Sequence, residues 1–359
     1  MTLTATEKTY IWLNSFPLTE GEKRKLLLAA KEPTQLLRNF SSFRPEMINF
    51  GKESVYNNMQ STLSDGGKYF TTLISRMEKA GVTPISFGSP DYPKEFSKLP
   101  DAPLALYAKG DISLLKTQKI TVVGSRSTPV SAIKTGRNIA QQLASRFTVV
   151  TGTADGGDGA AIEGGLQGGR VIAVAAGGLD QLPQGNGALL KEVANKGLLL
   201  SPYPLGTPVR AFSYEYRNKL LAALGEGTLV LGAGEKSGAL VTARYAKEYQ
   251  KKRFALPYSP GSFAGQGCNA LIKDGATLTE SAEDIFAVFG VKTPTERKKP
   301  TLTAEEEGVL SLLQRLGEAH ATQLSEQSHL PVYKLTAVLS SLEIKGLATK
   351  LGGNRYAPL

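Results

Sequence analysis

From residue 119 the chain alternates short, almost wholly apolar runs with longer stretches whose apolar residues recur every three or four positions. The runs predict strands at about 119–123, 147–151, 170–175, 197–201, 228–232 and 252–256. The stretches between predict helices at about 129–146, 158–168, 186–196, 212–224 and 237–250, with a last one at Ser281–Phe289. Strands apolar on both faces, alternating with helices, mean βαβ units and a parallel sheet covered on both sides. The predicted fold class is α/β, a doubly wound parallel sheet, in a core placed at residues 81–290.

The flanks read differently. Residues 1–80 carry helical spacing at Glu7–Asn14, Glu20–Ala30, Thr34–Asn39 and roughly Val55–Ala80, with Pro17 in the first break. A small helical docking domain is the plainer reading; a helix-hairpin contact with nucleic acid lacks its usual Gly-x-Gly. Residues 81–118 are proline-rich and aperiodic, which suggests a connecting region of extended segments and turns. A polar linker is expected at 291–302. Helices at about Thr303–Leu316, Ala321–Ser328 and Val332–Lys345, then a strand, a Gly-Gly-Asn turn and a strand, give residues 303–359 a winged-helix pattern.

Charge and rare residues narrow the function. The 359 residues carry a formal +10, spread along the chain, which favours a polyanionic partner. One cysteine, Cys268, excludes an internal disulfide, and with only two histidines argues against a zinc site. No metal or cofactor is expected. No apolar run approaches the ~18 residues of a membrane span, and the N-terminus lacks a signal-peptide shape. A cytoplasmic protein without a membrane partner is expected.

The candidate chemistry sits in Gly-rich turns after strands. Gly124-Ser125-Arg126 follows the first core strand; Thr128 and Pro129 read as N-cap and first helical residue. Such a crevice points N–H groups and a positive dipole end at a phosphate, and Arg126 adds a guanidinium. In Thr151–Ala160, Gly152, Gly156, Gly157 and Gly159 let backbone approach a ligand, with Gly152, Thr153 and Gly156 as candidate phosphate contacts, while Asp155 and Asp158 partly offset the positive field. Arg217, Asn218 and Lys219 near a helix start suit phosphate or base contacts, with Phe212, Tyr214 and Tyr216 just upstream for stacking or loop packing. Ser237-Gly238 opens another helix, with Thr242 one turn on; capping and ligand contact are both open. Gly261–Asn269 reads as a flexible loop. Each of these turns could also be purely structural. No nucleophile–base pair and no Walker A pattern is present, so catalysis is not expected.

In this order the motifs resemble the DprA/Smf family (DNA-processing protein A). The pieces are Asp91-Tyr92-Pro93, Leu106–Gly110, Val123–Arg126, Gly177–Asp180, Arg217–Lys219, Ser237–Ala243 and Gly267–Ala276. The resemblance implies a Rossmann-like core between an N-terminal helical, SAM-like domain and a C-terminal winged helix. It also implies single-stranded DNA binding, delivery of the strand to a RecA-type recombinase in natural transformation, and a homodimer. By carry-over, Gly124, Ser125 and Arg126 line the phosphate pocket, and Arg217, Asn218, Lys219, Ser237 and Gly238 form its other wall. The chain departs from the family where Asp155 and Ile162 replace the usual Arg and His, and at Ser201-Pro202 and Leu231-Gly232-Ala233.

Two other readings compete. The core is also similar to the LOG-like nucleotide-processing group; Gly156–Glu163 faintly echoes its motif, which would make Glu163 a catalytic carboxylate of a nucleotide enzyme or sensor. Alternatively the helix Val332–Lys345, with Lys334, Lys345 and Glu343, reads duplex DNA or docks a protein.

Overall fold

The computed structural model describes residues 2–292 and 302–358. They form two compact units, divided after Lys292. Most of the linker expected at 291–302 lies outside the described residues.

The first unit opens with helices α1 (Ala5–Asn14), α2 (Glu20–Ala30), α3 (Pro33–Arg38), α4 (Arg44–Asn49), α5 (Glu53–Leu63) and α6 (Lys68–Ala80). Helix α1 starts two residues earlier than its apolar spacing suggests because Thr4 and Glu7 form a capping box. Thr19 and Glu22 do the same for α2. The single helix expected from Val55 to Ala80 is two. Gly66 and Gly67 take left-handed φ values of 71° and 85°, and the Asp65 carboxylate accepts the Gly67 and Tyr69 N–H groups at 2.9 and 2.7 Å. Trp12, Leu26, Leu36, Phe40 and Met47 form the core of this layer, and the Trp12 and Phe40 rings meet edge to face at 4.9 Å.

Next come β1 (Thr83–Ser86), β2 (Ala105–Gly110), β3 (Lys119–Val123), α7 (Val130–Leu143), β4 (Thr148–Thr151), α8 (Gly157–Gly168), β5 (Val171–Val174), α9 (Gly187–Lys196) and β6 (Leu198–Ser201). Then follow α10 (Ala211–Leu224), β7 (Gly227–Val230), α11 (Gly238–Glu248), β8 (Lys252–Ala255), α12 (Gln266–Lys273), β9 (Thr277–Leu278) and α13 (Ala282–Phe289). The nine strands make one sheet in the order β1-β2-β6-β5-β4-β3-β7-β8-β9, parallel from β6 to β9. Within residues 81–118, expected as extended segments and turns, β1 and β2 join the sheet and the rest is turns and short 3-10 segments. β2 pairs antiparallel with β6, and β1 with β2. Pro84 escapes the usual exclusion from sheets because β1 is an edge strand.

Alternate residues of the parallel strands face two helical layers. Ile120 and Val122 pack with Ile139, Leu143 and Phe286 on one side. Val123, Val150 and Val174 pack with Leu220 and Leu224 on the other. The order of the parallel strands reverses at β3, whose neighbours are β4 and β7. A crevice therefore opens outside the carboxyl ends of β3 and β7.

Two local expectations change. Pro129, not Thr128, is the N-cap of α7. The Thr128 hydroxyl donates backward to the Ser125 carbonyl at 2.8 Å and closes the turn instead. The loop expected at Gly261–Asn269 turns helical at Gln266, where the Gly267 N–H donates to Ala233 O at 2.8 Å.

The second unit holds α14 (Ala304–Leu316), β10 (Ala319–His320), α15 (Ala321–Ser328), α16 (Val332–Ile344), β11 (Ala348–Leu351) and β12 (Arg355–Pro358), with sheet order β10-β12-β11. Val309, Leu313, Leu324, Leu335 and Leu339 fill its core. The expected three helices and hairpin are present, with β10 as an added strand.

Two predictions follow from this packing. A Cβ on Gly157 would overlap the Gly124 backbone, so Gly157→Ala should lower the stability of the first unit by about 1–3 kcal/mol in urea denaturation. In the second unit the Glu306 carboxyl is held down to about 2 by the Lys345 ammonium, the Ser341 hydroxyl and the Thr303 N–H. Its folded value lies below the ordinary 4.5, so its contribution is present above that pH and lost as pH falls toward 2. Hydrogen exchange across α14 and α16 should show Glu306→Gln flattening the acid dependence over that window.

Candidate nucleic-acid interface

Strand β3 ends at Val123, and Gly124-Ser125-Arg126 turns the chain toward α7. The Ser125 carbonyl collects the Thr128 N–H at 3.2 Å, the Thr128 hydroxyl at 2.8 Å and the Gly157 N–H at 3.1 Å. The Ser125 N–H donates to Gly232 O at 2.8 Å. The turn is thus tied to the start of α8 on one side and to the end of β7 on the other.

Around it lies a pocket of about 630 Å³. Gly124, Ser125 and Arg126 form one wall; Ser237, Gly238 and Thr242 of α11 form another; Tyr214, Arg217 and Asn218 of α10 form the floor and a third side. The N-terminus of α11 points its dipole here. Ser237 caps it, accepting the Ala239 N–H at 3.3 Å, and the Asn218 amide donates to Gly238 O at 3.0 Å. Thr242 is 1% exposed, and its hydroxyl has no hydrogen-bond partner among the described residues. Arg126 is exposed, its guanidinium 3.4 Å from the Tyr214 hydroxyl.

Under the pocket lies a buried ion pair. Arg217 and Asp158 are each 4% exposed, with Nη1 and Oδ2 at 3.8 Å. Arg217 also donates to Val174 O at 3.1 Å and Asn218 Oδ1 at 3.0 Å. Asp158 accepts the Gly124 and Ala154 N–H groups at 3.4 Å. Burial pushes the Asp158 carboxyl up, opposed by the Arg217 charge and those N–H groups. Burial likewise lowers Arg217, opposed by Asp158.

The structure does not bring every expected residue to the wall. Arg217, Asn218 and Lys219 lie mid-helix in α10, not at a helix start, so they act through side chains alone. Lys219 turns away from the pocket to pair with Asp101 at 2.5 Å, with its ammonium over the Tyr245 ring. Gly152, Thr153 and Gly156 stand behind the wall. A Cβ on Gly152 would overlap the Arg217 guanidinium and Asp158 carboxylate. Gly156, at φ 76°, packs against Ser125 O and Arg126. Thr153 is buried and its carbonyl takes the Asn186 amide at 3.4 Å. These glycines make room for protein, not for ligand.

Three contributors were not singled out as site residues from the sequence: Asp158, Lys236 and Phe263, all on the pocket lining. Phe263, 76% exposed between Gly261 and Gly265, left a signal: a large ring in a glycine-rich loop has no core to join. Two of the family departures lie off the wall: Ile162 is fully buried in the core and Asp155 is exposed to solvent. Glu163 pairs with Arg137 at 2.6 Å between α7 and α8, also away from the pocket. That placement removes the carboxylate on which the nucleotide-enzyme reading rested.

Arg217→Met should cost about 3–5 kcal/mol in urea denaturation because it strands a buried carboxylate, and adding Asp158→Asn should recover much of the loss.

The sequence matches the family described as DNA recombination-mediator protein A over residues 83–290, and a DprA winged helix domain over 293–354. The DNA processing protein DprA of Streptococcus pneumoniae is 38% identical over 200 residues, covering 55% of this chain and 71% of that one. Protein Smf of Escherichia coli is 31% identical over 307 residues, 82% of each. Among solved structures, that of DprA from S. pneumoniae superposes with a TM-score of 0.66 at 31% identity, covering 80% of this chain and 98% of that one. A structure addressing the single-stranded DNA binding mode of DNA processing protein A from Helicobacter pylori gives 0.54 at 30% identity, covering 58% and 95%. With a family match over more than half its length and relatives this similar, the chain belongs to the DNA recombination-mediator protein A (DprA/Smf) family.

Proposed function

We propose that this protein binds single-stranded DNA in the pocket outside β3 and β7 and passes the strand to a RecA-type recombinase, acting as a homodimer without chemistry of its own. The observation that carries the binding step is the pocket's composition. The α11 N-terminus, the buried Thr242 hydroxyl lacking a partner, and the Arg126 guanidinium converge on one space at the strand-order reversal. That set suits a phosphate. Tyr214 and Phe263 offer ring faces to the adjoining bases. Asp158, the buried acid nearest the pocket, is committed to Arg217 and two N–H groups, which assigns it to holding the site. The kinship with the H. pylori protein supports the same reading. The three-part layout, 1–80, 81–290 and 303–359, belongs to it, as do cytoplasmic action and the recombinase and dimer assignments, which rest on the family alone. No helix among the described residues is long and apolar enough to cross a membrane.

Binding of labelled oligo-dT should fall steeply with salt. Arg126→Ala should weaken it roughly tenfold to a hundredfold, as loss of a charge-assisted contact does, and reduce the log–log salt slope by about 0.7. Matched duplex should bind more weakly. Equal affinity for duplex and single strand, unchanged by Arg126→Ala, would sink the reading.

A further inference from the structure

A second cavity, of about 1050 Å³, lies between the N-terminal helices and the segment joining β6 to α10. We infer that it is a second subsite for the same DNA strand, with a base stacking on the exposed Phe212 ring and phosphates meeting Arg76 and Arg210. The inference rests on the single-strand reading of the first pocket and extends it.

The sheet places the two spaces on one edge. The segment 202–213 leaves the carboxyl end of β6, as Gly124–Arg126 leaves that of β3, and only β5 and β4 stand between them. At ~4.8 Å per strand the separation is about 14 Å, or about four stacked nucleotides at ~3.4 Å each. Helix α10 is the shared wall. At about 100° per residue, Phe212, Ser213 and Tyr216 occupy one sector of its surface, and Tyr214, Arg217 and Asn218 the adjoining one. The first set lines the larger cavity and the second the pocket.

The chemistry of the cavity fits a strand. Its rings include Phe16 and Tyr69, stacked at 6.1 Å, and Tyr203 and Tyr216, edge to face at 6.4 Å. Phe212 is 64% exposed at the boundary with the pocket. An aromatic left in solvent beside other rings suits base stacking. Each acid lining the cavity has a cation on one oxygen, Glu20 with Lys23 at 2.6 Å and Asp101 with Lys219 at 2.5 Å, while Glu20 Oε2 and Asp101 Oδ1 are buried without a hydrogen-bond partner among the described residues. Two rim arginines stay available. Arg76 is half exposed, with only a 3.9 Å approach to Asp180, and Arg210 has no ion-pair partner among the described residues. The surplus charge at the rim is positive, which suits a polyanion. Pro17, Pro202, Pro204 and Pro208 stiffen the walls, so little order is lost on binding.

The test compares two lengths of labelled oligo-dT on the full chain, one of about three nucleotides, too short to span the separation, and one about three times longer. Wild type should bind the longer roughly tenfold tighter or better, the value of one added stacked base. The triple variant Arg76→Glu, Arg210→Glu, Phe212→Ala alters exposed side chains only. It should lose that advantage while binding the short oligonucleotide as wild type does. Iodouracil placed beyond the first four nucleotides should crosslink to Phe212 or Tyr203. A triple variant that keeps the length advantage, with no such crosslink, overturns the inference and leaves the cavity to a protein segment. Failure of wild type to bind either length overturns the first-pocket reading and this one with it, whereas Arg126→Ala weakening both lengths isolates the first pocket.

Discussion

The site hangs on one buried ion pair. Arg217 and Asp158 sit under the pocket and between them hold a carbonyl of β5, an amide of the β3 turn, an amide of the β4 loop and the Asn218 side chain. Two charges taken out of water cost several kcal/mol each, and attraction alone rarely repays that. Here the backbone groups gathered around the pair offset part of the cost. Asn218 then carries the order onward to the first residue of α11. Three βα turns are locked to one another because a charged pair needs all of them to be satisfied.

That lock explains the glycines better than ligand approach does. Gly152 leaves room for the pair, and Gly124 and Gly157 let two turns touch backbone to backbone. With α8 pulled in this far, its first N–H serves Ser125. Helix α11 keeps its N-terminus toward the open pocket. Two similar Gly-rich turns thus do different work, one as packing and one as a wall of the pocket.

The net positive charge is divided in the same way. Lys119 is 2% exposed and pairs with Glu95, Lys219 pairs with Asp101, and Lys251 donates to the carbonyls of Ala223 and Gly225 at the end of α10. These cations stabilise the chain and offer little to a polyanion. Arg126 and Lys236 at the first pocket, and Arg76 and Arg210 at the second cavity, are exposed or nearly so. A count of basic residues does not separate the two groups; a partner within reach does.

The sequence by itself determined the alternation of strands and helices, the winged-helix pattern, the family, and the turns after β3 and before α11 that line the pocket. Those features are local: a run of β-branched residues, a capping Ser237, a glycine after Val123 act through neighbours a few positions away. Only the tertiary structure decided which turns meet, that β1 and β2 extend the sheet, and that Ser-Asp-Gly-Gly divides α5 from α6. It also decided that Lys219 faces Asp101, 118 positions away, while Arg217 two residues earlier faces Asp158. Adjacent side chains on a helix diverge by about 100°, and which of them meets a ligand is fixed by what packs around the helix.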